Sequence, residues 1–427
     1  MHQARVGVVG GGLSGSFCAL VLKSRGLNPL VLDAGTRGTG GRFGGGRQPD
    51  SGAQFLRCTN ALSPLAQVLG TLAQNNLVGR WTGRFGVLGR GGGGFLPTEV
   101  IRGALGGAPE AAAAVDEEDG ETSASVAAGA LGGGDFCRFL ADHQHPMYVG
   151  LPSNGGLCRS ILEMSGVEVL HGQRVTAARR AADGSWSVEA ADGGTHTFDA
   201  LVLATHDAAL AAATVGGLDP EVGAAAAAGT DAAAHADVLS ALATRLTELR
   251  ERHVAPAFTL SAHFPPRALS AALPFDGVCA PSSDVIDFLA RDASKPGREE
   301  KGDGELWTAV STARFGAACI ERCRGAADEK RAAEDLAATG MRAELSKMLA
   351  PFFGGDVAAV PAPLKAGAKR WGAAFPTATL GIDDDCLSLE PWRLAVCGDF
   401  VGGGPTPAEA AAASGLAAGE RIAQIFA

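Results

Sequence analysis

Three glycines, an acid and a guanidinium near the start of the chain have the types and spacing to hold two phosphates and a ribose. Gly10, Gly12 and Gly15 form G-x-G-x-x-G. The first allows a tight turn, the second lets a backbone approach a pyrophosphate, and the third lets a helix pack against a strand. Leu13 and Ser14 lie where that helix opens, and its unpaired N–H groups and dipole favour negative charge. Asp33 stands about twenty residues on. Its carboxylate can accept both hydroxyls of a ribose, with Ala34 beside it, and would repel a 2′-phosphate. Gly40-Gly41-Arg42 then gives flexible backbone and a planar fork suited to phosphate. Arg37 and Arg47 are alternatives, more often solvated. After a turn at Asp50-Ser51, Gly52, Ala53 and Gln54 put small residues where a large flat ligand can lie.

These residues need elements to position them. Val6 to Val9 is a short β-branched run, apolar residues from Phe17 to Leu22 follow at helical spacing, and Leu30 to Leu32 is a second buried strand ending on Asp33. A lone G-x-G-x-x-G is weak, but here strand, glycines, helix, strand and acid come in order. The alternative is a glycine-rich turn with no nucleotide. Near the other end, a buried strand from Leu394 runs into Cys397-Gly398-Asp399, and Pro407 to Gly415 opens a small-residue helix carrying Ala410 and Ala411. An unpaired buried Asp is costly, so Asp399 points to a ligand partner.

Between these ends the pattern is less regular. Leu62 to Leu77 reads as an amphipathic helix, and Trp81 to Phe95 as strands broken by glycines. Residues 103–134 are low in complexity, with an acidic run at 116–119, and read as a solvated insertion rather than a docking segment. Met147 to Leu157 is a stretch marked by Gly and Pro. Val167 to Leu170 is a strand, Arg174 to Ala177 and Trp186 to Glu189 pair across Asp183-Gly184, and Phe198 to Thr205 is one buried strand. Ala208 to Ala236 reads as helix or loop, Ala257 to Phe264 and Leu306 to Thr312 as strands, and Ala333 to Leu349 as a helix.

With 427 residues, the chain is too long for one ordinary core and long enough for two domains. A net charge of −10 argues against nucleic acid or an anionic membrane as the main partner. No apolar run reaches membrane-span length. The strand at Val6 leaves no room for a signal peptide, so a cytoplasmic location is expected, or a plastid stroma if a transit peptide has been removed. Nine scattered cysteines without C-x-x-C suggest reduced thiols. Cys319 and Cys323 have helical spacing, but with no second ligand pair core packing is favoured over zinc. His143-x-His145, next to Pro146, reads as a solvated pair, and no metal is expected.

Several blocks carry a resemblance. Asp33, then Arg37-Gly38-Thr39-Gly40-Gly41-Arg42, then Asp50-Ser51-Gly52-Ala53-Gln54-Phe55 resemble the flavin amine-oxidase superfamily, and within it the renalase-like branch. That branch shows an acid, R-G-x-G-G-R and D-H-G-A-Q-Y-F. Ser51 stands at the family's His, which puts a role for that imidazole in question. Val285 to Arg298 resembles the branch's strand, Asn or Asp, and S-K-P-G-R, here with Asp292 and Ser294-Lys295-Pro296-Gly297-Arg298. Its plain alternative is a basic surface turn. Lys369-Arg370-Trp371 through Pro376 resembles H-R-W-x-x-A-x-P, which places Trp371 by a flavin cavity, where an aromatic residue can cover the ring and exclude water. The alternative for Trp371 is an ordinary core residue.

The resemblance implies that the Val175 backbone meets an adenine and that the strand ending at Thr205 closes beneath the pyrophosphate. It places Asp399 on a ribityl hydroxyl or beside the pyrophosphate, and the helix after Pro407 at the pyrimidine end of a flavin. The expected fold is α/β: a Rossmann-type FAD-binding domain from residues 1–85, 151–215 and 385–427, with an α+β antiparallel-sheet substrate domain from 86–150 and 216–384. The implied cofactor is non-covalent FAD, with Cys397 packing rather than attaching it. The implied chemistry is hydride transfer from a small substrate to flavin N5, with O₂ reoxidising the flavin. Isomeric dihydronicotinamide dinucleotides are the implied substrates and amines the superfamily alternative. Lys365 and Lys369 are candidates for the lysine many superfamily amine oxidases use near N5, although both read more readily as surface residues. No general base is assigned, because releasing a hydride from a dihydropyridine needs none. A flavin-fold subunit without turnover is the other class. No protein partner is indicated.

Overall fold

The computed structural model describes residues 3–36, 38–44, 50–89, 94–100, 135–226, 231–298, 304–402 and 404–427. Arg37, Arg47 and the 103–134 insertion lie outside them. A six-stranded sheet organises the fold, in the order Leu387–Leu389, Leu394–Val396, Ala200–Leu203, Arg5–Val9, Asn28–Asp33 and Glu168–His171. Neighbours are parallel except the first pair. The inner strands are apolar throughout because both faces are covered. Val6, Val8, Val31 and Val202 face the helices Leu13–Ser24, Asn154–Met164 and Pro407–Ile425. Leu30, Leu32, Leu201 and Leu203 face a small antiparallel sheet (Val175–Arg180, Trp186–Ala190, Thr195–Phe198) and the helices Ala208–Gly216 and Ala232–Arg252.

A second large sheet has seven strands, in the order Lys365–Pro376, Val254–Phe264, Glu305–Ser311, Ile286–Arg291, Gly277–Cys279, Phe85–Leu88 and Phe95–Pro97. Only the Gly277–Cys279 and Phe85–Leu88 pair is parallel. Phe258, Leu260 and Trp307 pack beneath the helices Ala313–Arg322 and Glu329–Leu349. Ala257, Phe288 and Val310, at alternate positions, join an aromatic cluster with Phe55, Trp81, Phe136 and Phe139. The period-2 alternation of strands thus divides this sheet between a helix-covered core and a wall that faces the rest of the molecule.

Some expectations change. The run from Phe198 to Thr205 is two strands, one in each of two sheets. The chain switches sheets at Asp199, whose N–H donates to the Arg5 carbonyl and whose carboxylate accepts the Arg5 N–H at 2.7 Å. A charged residue that satisfies both bonds at the boundary could not continue inside an apolar strand. The Ala-rich stretch is helical at Ala208–Gly216, Pro220–Ala226 and Ala232–Arg252, the first and last capped by Asp207 and Asp231. Cys319 and Cys323 pack on the core under the seven-stranded sheet. Among the described residues, no group of three or more His, Cys, Asp or Glu could hold a metal ion, and no helix is long and apolar enough to cross a membrane.

Candidate functional site

A cavity of about 620 Å³ lies between the two large sheets. That volume falls within the ~300–1,000 Å³ of typical small-molecule sites. At one end it meets the carboxyl ends of Arg5–Val9 and Asn28–Asp33, where open α/β sheets bind ligands. Gly10, Gly12, Leu13, Ser14, Asp33, Ala34 and Val175 line this end. Gly10 has φ of +109°, and a Cβ on Gly15 would lie 1.9 Å from the Gly10 carbonyl oxygen. A Cβ on Gly12 would meet nothing nearer than the Gly41 Cα at 3.9 Å. One glycine therefore closes the helix onto the strand, while the other leaves open space. The helix Leu13–Ser24 has no side-chain cap at Gly12.

Asp33 is 9% exposed. Its Oδ1 accepts the Gly35 N–H at 3.3 Å, whereas Oδ2 is buried without a hydrogen-bond partner. Burial raises its pKa, and the N–H groups of Gly35 and Gly11 only partly oppose this. A buried acceptor left unpaired costs about 1–3 kcal/mol, so this oxygen is a standing request for a donor.

At mid-cavity Arg42 and Asp399 form a two-pronged pair. Arg42 Nη1 lies 2.7 Å from Asp399 Oδ2 and Nη2 lies 2.5 Å from Oδ1. Asp399 thus has a protein partner, against the expectation that it awaits a ligand. Arg42, expected on phosphates, spends its fork on that carboxylate and on the Ala374 carbonyl. Both residues still line the cavity beside His206, whose pKa is lowered first by burial and then by Arg42. Gly41, Gly52, Ala53, Gln54 and Ala411 are also in the wall, but Gly15, Gly398 and Ala410 are not. Gly15 packs behind the Gly10–Ser14 turn, Gly398 N–H donates to Ser414 Oγ at 3.0 Å, and Ala410 is buried against Gly404. Gln54 turns its amide away from solvent. Nε2 donates to the carbonyls of Asp50 and Gly52, and Oε1 accepts from Lys295.

The other end is aromatic. Trp371, Phe55, Phe136 and Phe375 line it with Ala257 and Val310. Trp371 Nε1 donates to the Ser51 carbonyl at 2.5 Å, and Lys369 Nζ sits 4.0 Å from the Trp371 ring centroid and 3.1 Å from Ser51 Oγ. Lys369 and its register partner Thr259 both line the cavity, while Lys365 is exposed further along the same strand. The two lysines that looked alike in sequence therefore separate. Cys137, whose φ is +47°, and His206 also line the cavity. Sequence reasoning missed them, along with Phe136, Ala257 and Val310, because nothing local marks which face of a strand or which end of a loop meets the cavity. The Asp292–Arg298 stretch is not a basic surface turn: Lys295 is 2% and Arg298 4% exposed.

Residues 8–70 match the family model described as an NAD(P)-binding Rossmann-like domain. No curated protein matches by sequence. An oxidoreductase from Methanosarcina mazei superposes with a TM-score of 0.57 at 14% identity, covering 96% of this chain and 98% of that one. A putrescine oxidase variant made in a structure-based redesign of cofactor binding gives 0.56 at 15% identity over 99% of both chains. Cyclohexylamine oxidase from Brevibacterium oxydans gives 0.55 at 14% identity over 100% of both chains. The fold is therefore a Rossmann-like dinucleotide domain joined to antiparallel sheets, as in these oxidases.

Proposed function

We propose that the chain is an FAD-dependent oxidoreductase that oxidises a small organic substrate. The observation that carries this reading is the continuous cavity from the Gly10–Ser14 turn and Asp33 to the aromatic wall at Trp371. A dinucleotide fits the first end: the unpaired Asp33 Oδ2 suits ribose hydroxyls, and the open space at Gly12 suits a pyrophosphate. A flat ring system fits the wall between Ala53, Ala411 and Trp371. FAD, when bound, supplies a two-electron acceptor at N5 that O₂ can reoxidise. The chain's own work is orientation and exclusion of water. Asp33 and the Leu13–Ser24 N-terminus fix the adenosine half, the Arg42–Asp399 pair fixes the middle, and Phe55, Phe136, Phe375 and Trp371 keep the far end dry.

Within that class, the renalase-like motifs support dihydronicotinamide dinucleotide isomers as substrates, while the similarity to putrescine oxidase and cyclohexylamine oxidase supports an amine. The aromatic end is open rather than filled, which favours an enzyme over a flavin-fold subunit without turnover. The deciding experiment is the visible spectrum of the purified protein, followed by anaerobic titration with dihydronicotinamide isomers, putrescine and cyclohexylamine. Flavin bands that bleach with one of these and return with air support the reading and name the substrate class. Bands that none of them bleaches favour the silent subunit. Absence of flavin after soaking with FAD removes the cofactor assignment.

A further inference from the structure

The turn after the strand Ile286–Arg291 carries charge deep into the protein. Lys295 Nζ lies 3.3 Å from Asp50 Oδ2 and donates to Gln54 Oε1 at 3.0 Å. Arg298 Nη2 bonds the same Asp50 oxygen, and Arg298 Nε lies 3.6 Å from Asp292 Oδ1. From the other side, Asp50 Oδ1 accepts the Asn154 N–H at 2.9 Å, and Asn154 Nδ2 donates to the Ala53 carbonyl at 2.8 Å. Such clusters are poor stabilisers, because well-packed apolar side chains often do as well or better. This one also leaves Arg298 Nη1 and Asp292 Oδ1 without hydrogen-bond partners.

The bonds converge on one loop. Residues Asp50 to Gln54 supply Gly52, Ala53 and Gln54 to the cavity wall, and the Ser51 carbonyl holds Trp371. We infer that Lys295 and Arg298 are positioning residues for the cavity: acting through Asp50 and Gln54, they fix the loop on which Trp371 and the flat part of a bound ligand rest. The clamp reaches the site from the seven-stranded sheet, so it also sets that sheet's distance from the dinucleotide end. Neither cation lines the cavity. As far as the ligand is concerned, this inference rests on the FAD reading above.

The test uses full-length Lys295→Met, Lys295→Arg and Gln54→Met proteins, each with and without Trp371→Phe. The difference isolates Trp371 emission and its quenching by acrylamide, read before FAD is added. FAD affinity and the KM and kcat of any substrate found are read afterwards. The expected result is about twofold stronger Trp371 quenching and about tenfold weaker FAD binding in Lys295→Met and Gln54→Met, with Lys295→Arg closer to wild type. Folded variants with unchanged quenching and unchanged FAD affinity overturn the inference. Should Lys295→Met fail to fold, Gln54→Met, which leaves both cations on Asp50, decides by the same readings. Stronger quenching in a protein whose wild type takes up no FAD sustains the clamp and sinks the cofactor reading.

Discussion

The two ends of the cavity are built in opposite ways. The end at the glycine turn is assembled by neighbours in sequence: Gly10 to Ser14 and Asp33 belong to one strand–helix–strand unit. The aromatic end is assembled from distant stretches, with Phe55, Phe136, Ala257, Val310 and Trp371 each coming from a different part of the chain. Backbone does the work at the first end, through φ values, open Cα positions and a helix terminus. At the second, side chains do it by filling space. Recognition by backbone demands particular residues at particular spacings, whereas a hydrophobic wall accepts many combinations of similar volume. The difference sets what substitutions should do.

The largest effect should come from paired glycine substitutions. Gly15→Val would drive a side chain into the Gly10 carbonyl, 1.9 Å from its Cβ, and is expected to cost about 3–5 kcal/mol, read as lost soluble protein or a collapsed melting temperature. Gly12→Ala adds a methyl to open space at a φ of −79°. It should leave stability within about 0.5 kcal/mol while weakening FAD binding about 100-fold, read by flavin fluorescence titration. Wild-type FAD affinity in Gly12→Ala would break the assignment of that end.

Asp33→Asn sharpens the same point through pH. The folded pKa of Asp33 is raised above its usual 3.8 by burial. Its share of stability is therefore full below the unfolded pKa and lost as pH rises through the folded one. The apo Asp33→Asn protein should melt higher than apo wild type at pH 7, yet bind FAD about 10–100-fold more weakly, because two charge-assisted bonds to ribose are lost. A variant that is less stable without ligand would contradict the reading of Asp33 Oδ2 as an unpaired atom.

At the aromatic end, Trp371→Ala should weaken FAD binding only about threefold, through the face it offers a flat ring, and raise substrate KM about tenfold, through loss of its ring and its bond to Ser51. An equal loss of both affinities would mean that the two ends are not separable. The smallest expected effect lies behind that wall. Burial, aided by Asp135, raises the pKa of Asp287 to about 6. Its contribution is present below about pH 4 and disappears as pH rises through about 6. Asp287→Asn should therefore gain about 1–2 kcal/mol over wild type at pH 7–8, allowing for partial exposure, and the gain should vanish near pH 4 in denaturant titrations.

The same contrast explains what the sequence revealed. The placement of Gly10, Gly12, Gly15 and Asp33 was legible because it is set within one strand–helix–strand unit of about thirty residues. The strand at Ala257–Phe264 was legible as a strand, but periodicity cannot say that Ala257 rather than Phe258 faces the cavity. Asp399 was expected to need a ligand because Arg42, its partner, lies 357 positions away. The plain alternative for Asp292–Arg298, a basic surface turn, is set aside only by the fold. Basic residues in a Pro-Gly turn are solvated by default, and only the fold brings Asp50 to them.

The Arg42–Asp399 pair and the packing of Pro407–Ile425 on Leu13–Ser24 have a consequence for the order of synthesis. A Cβ on Gly415 would lie 2.1 Å from the Ser14 carbonyl oxygen, so these helices touch at their backbones, next to the Gly10–Ser14 turn. Leu394–Val396 adds the strand beside Ala200–Leu203. The ribosome thus makes the Gly10–Ser14 turn long before the strand and helix that support it. A nascent chain lacking the 394–425 stretch displays an unpaired Ala200–Leu203 edge, a Leu13–Ser24 helix without its backbone neighbour and an Arg42 without its carboxylate. Until that strand and helix are made, the unpaired sheet edge needs shielding from other chains in the cell.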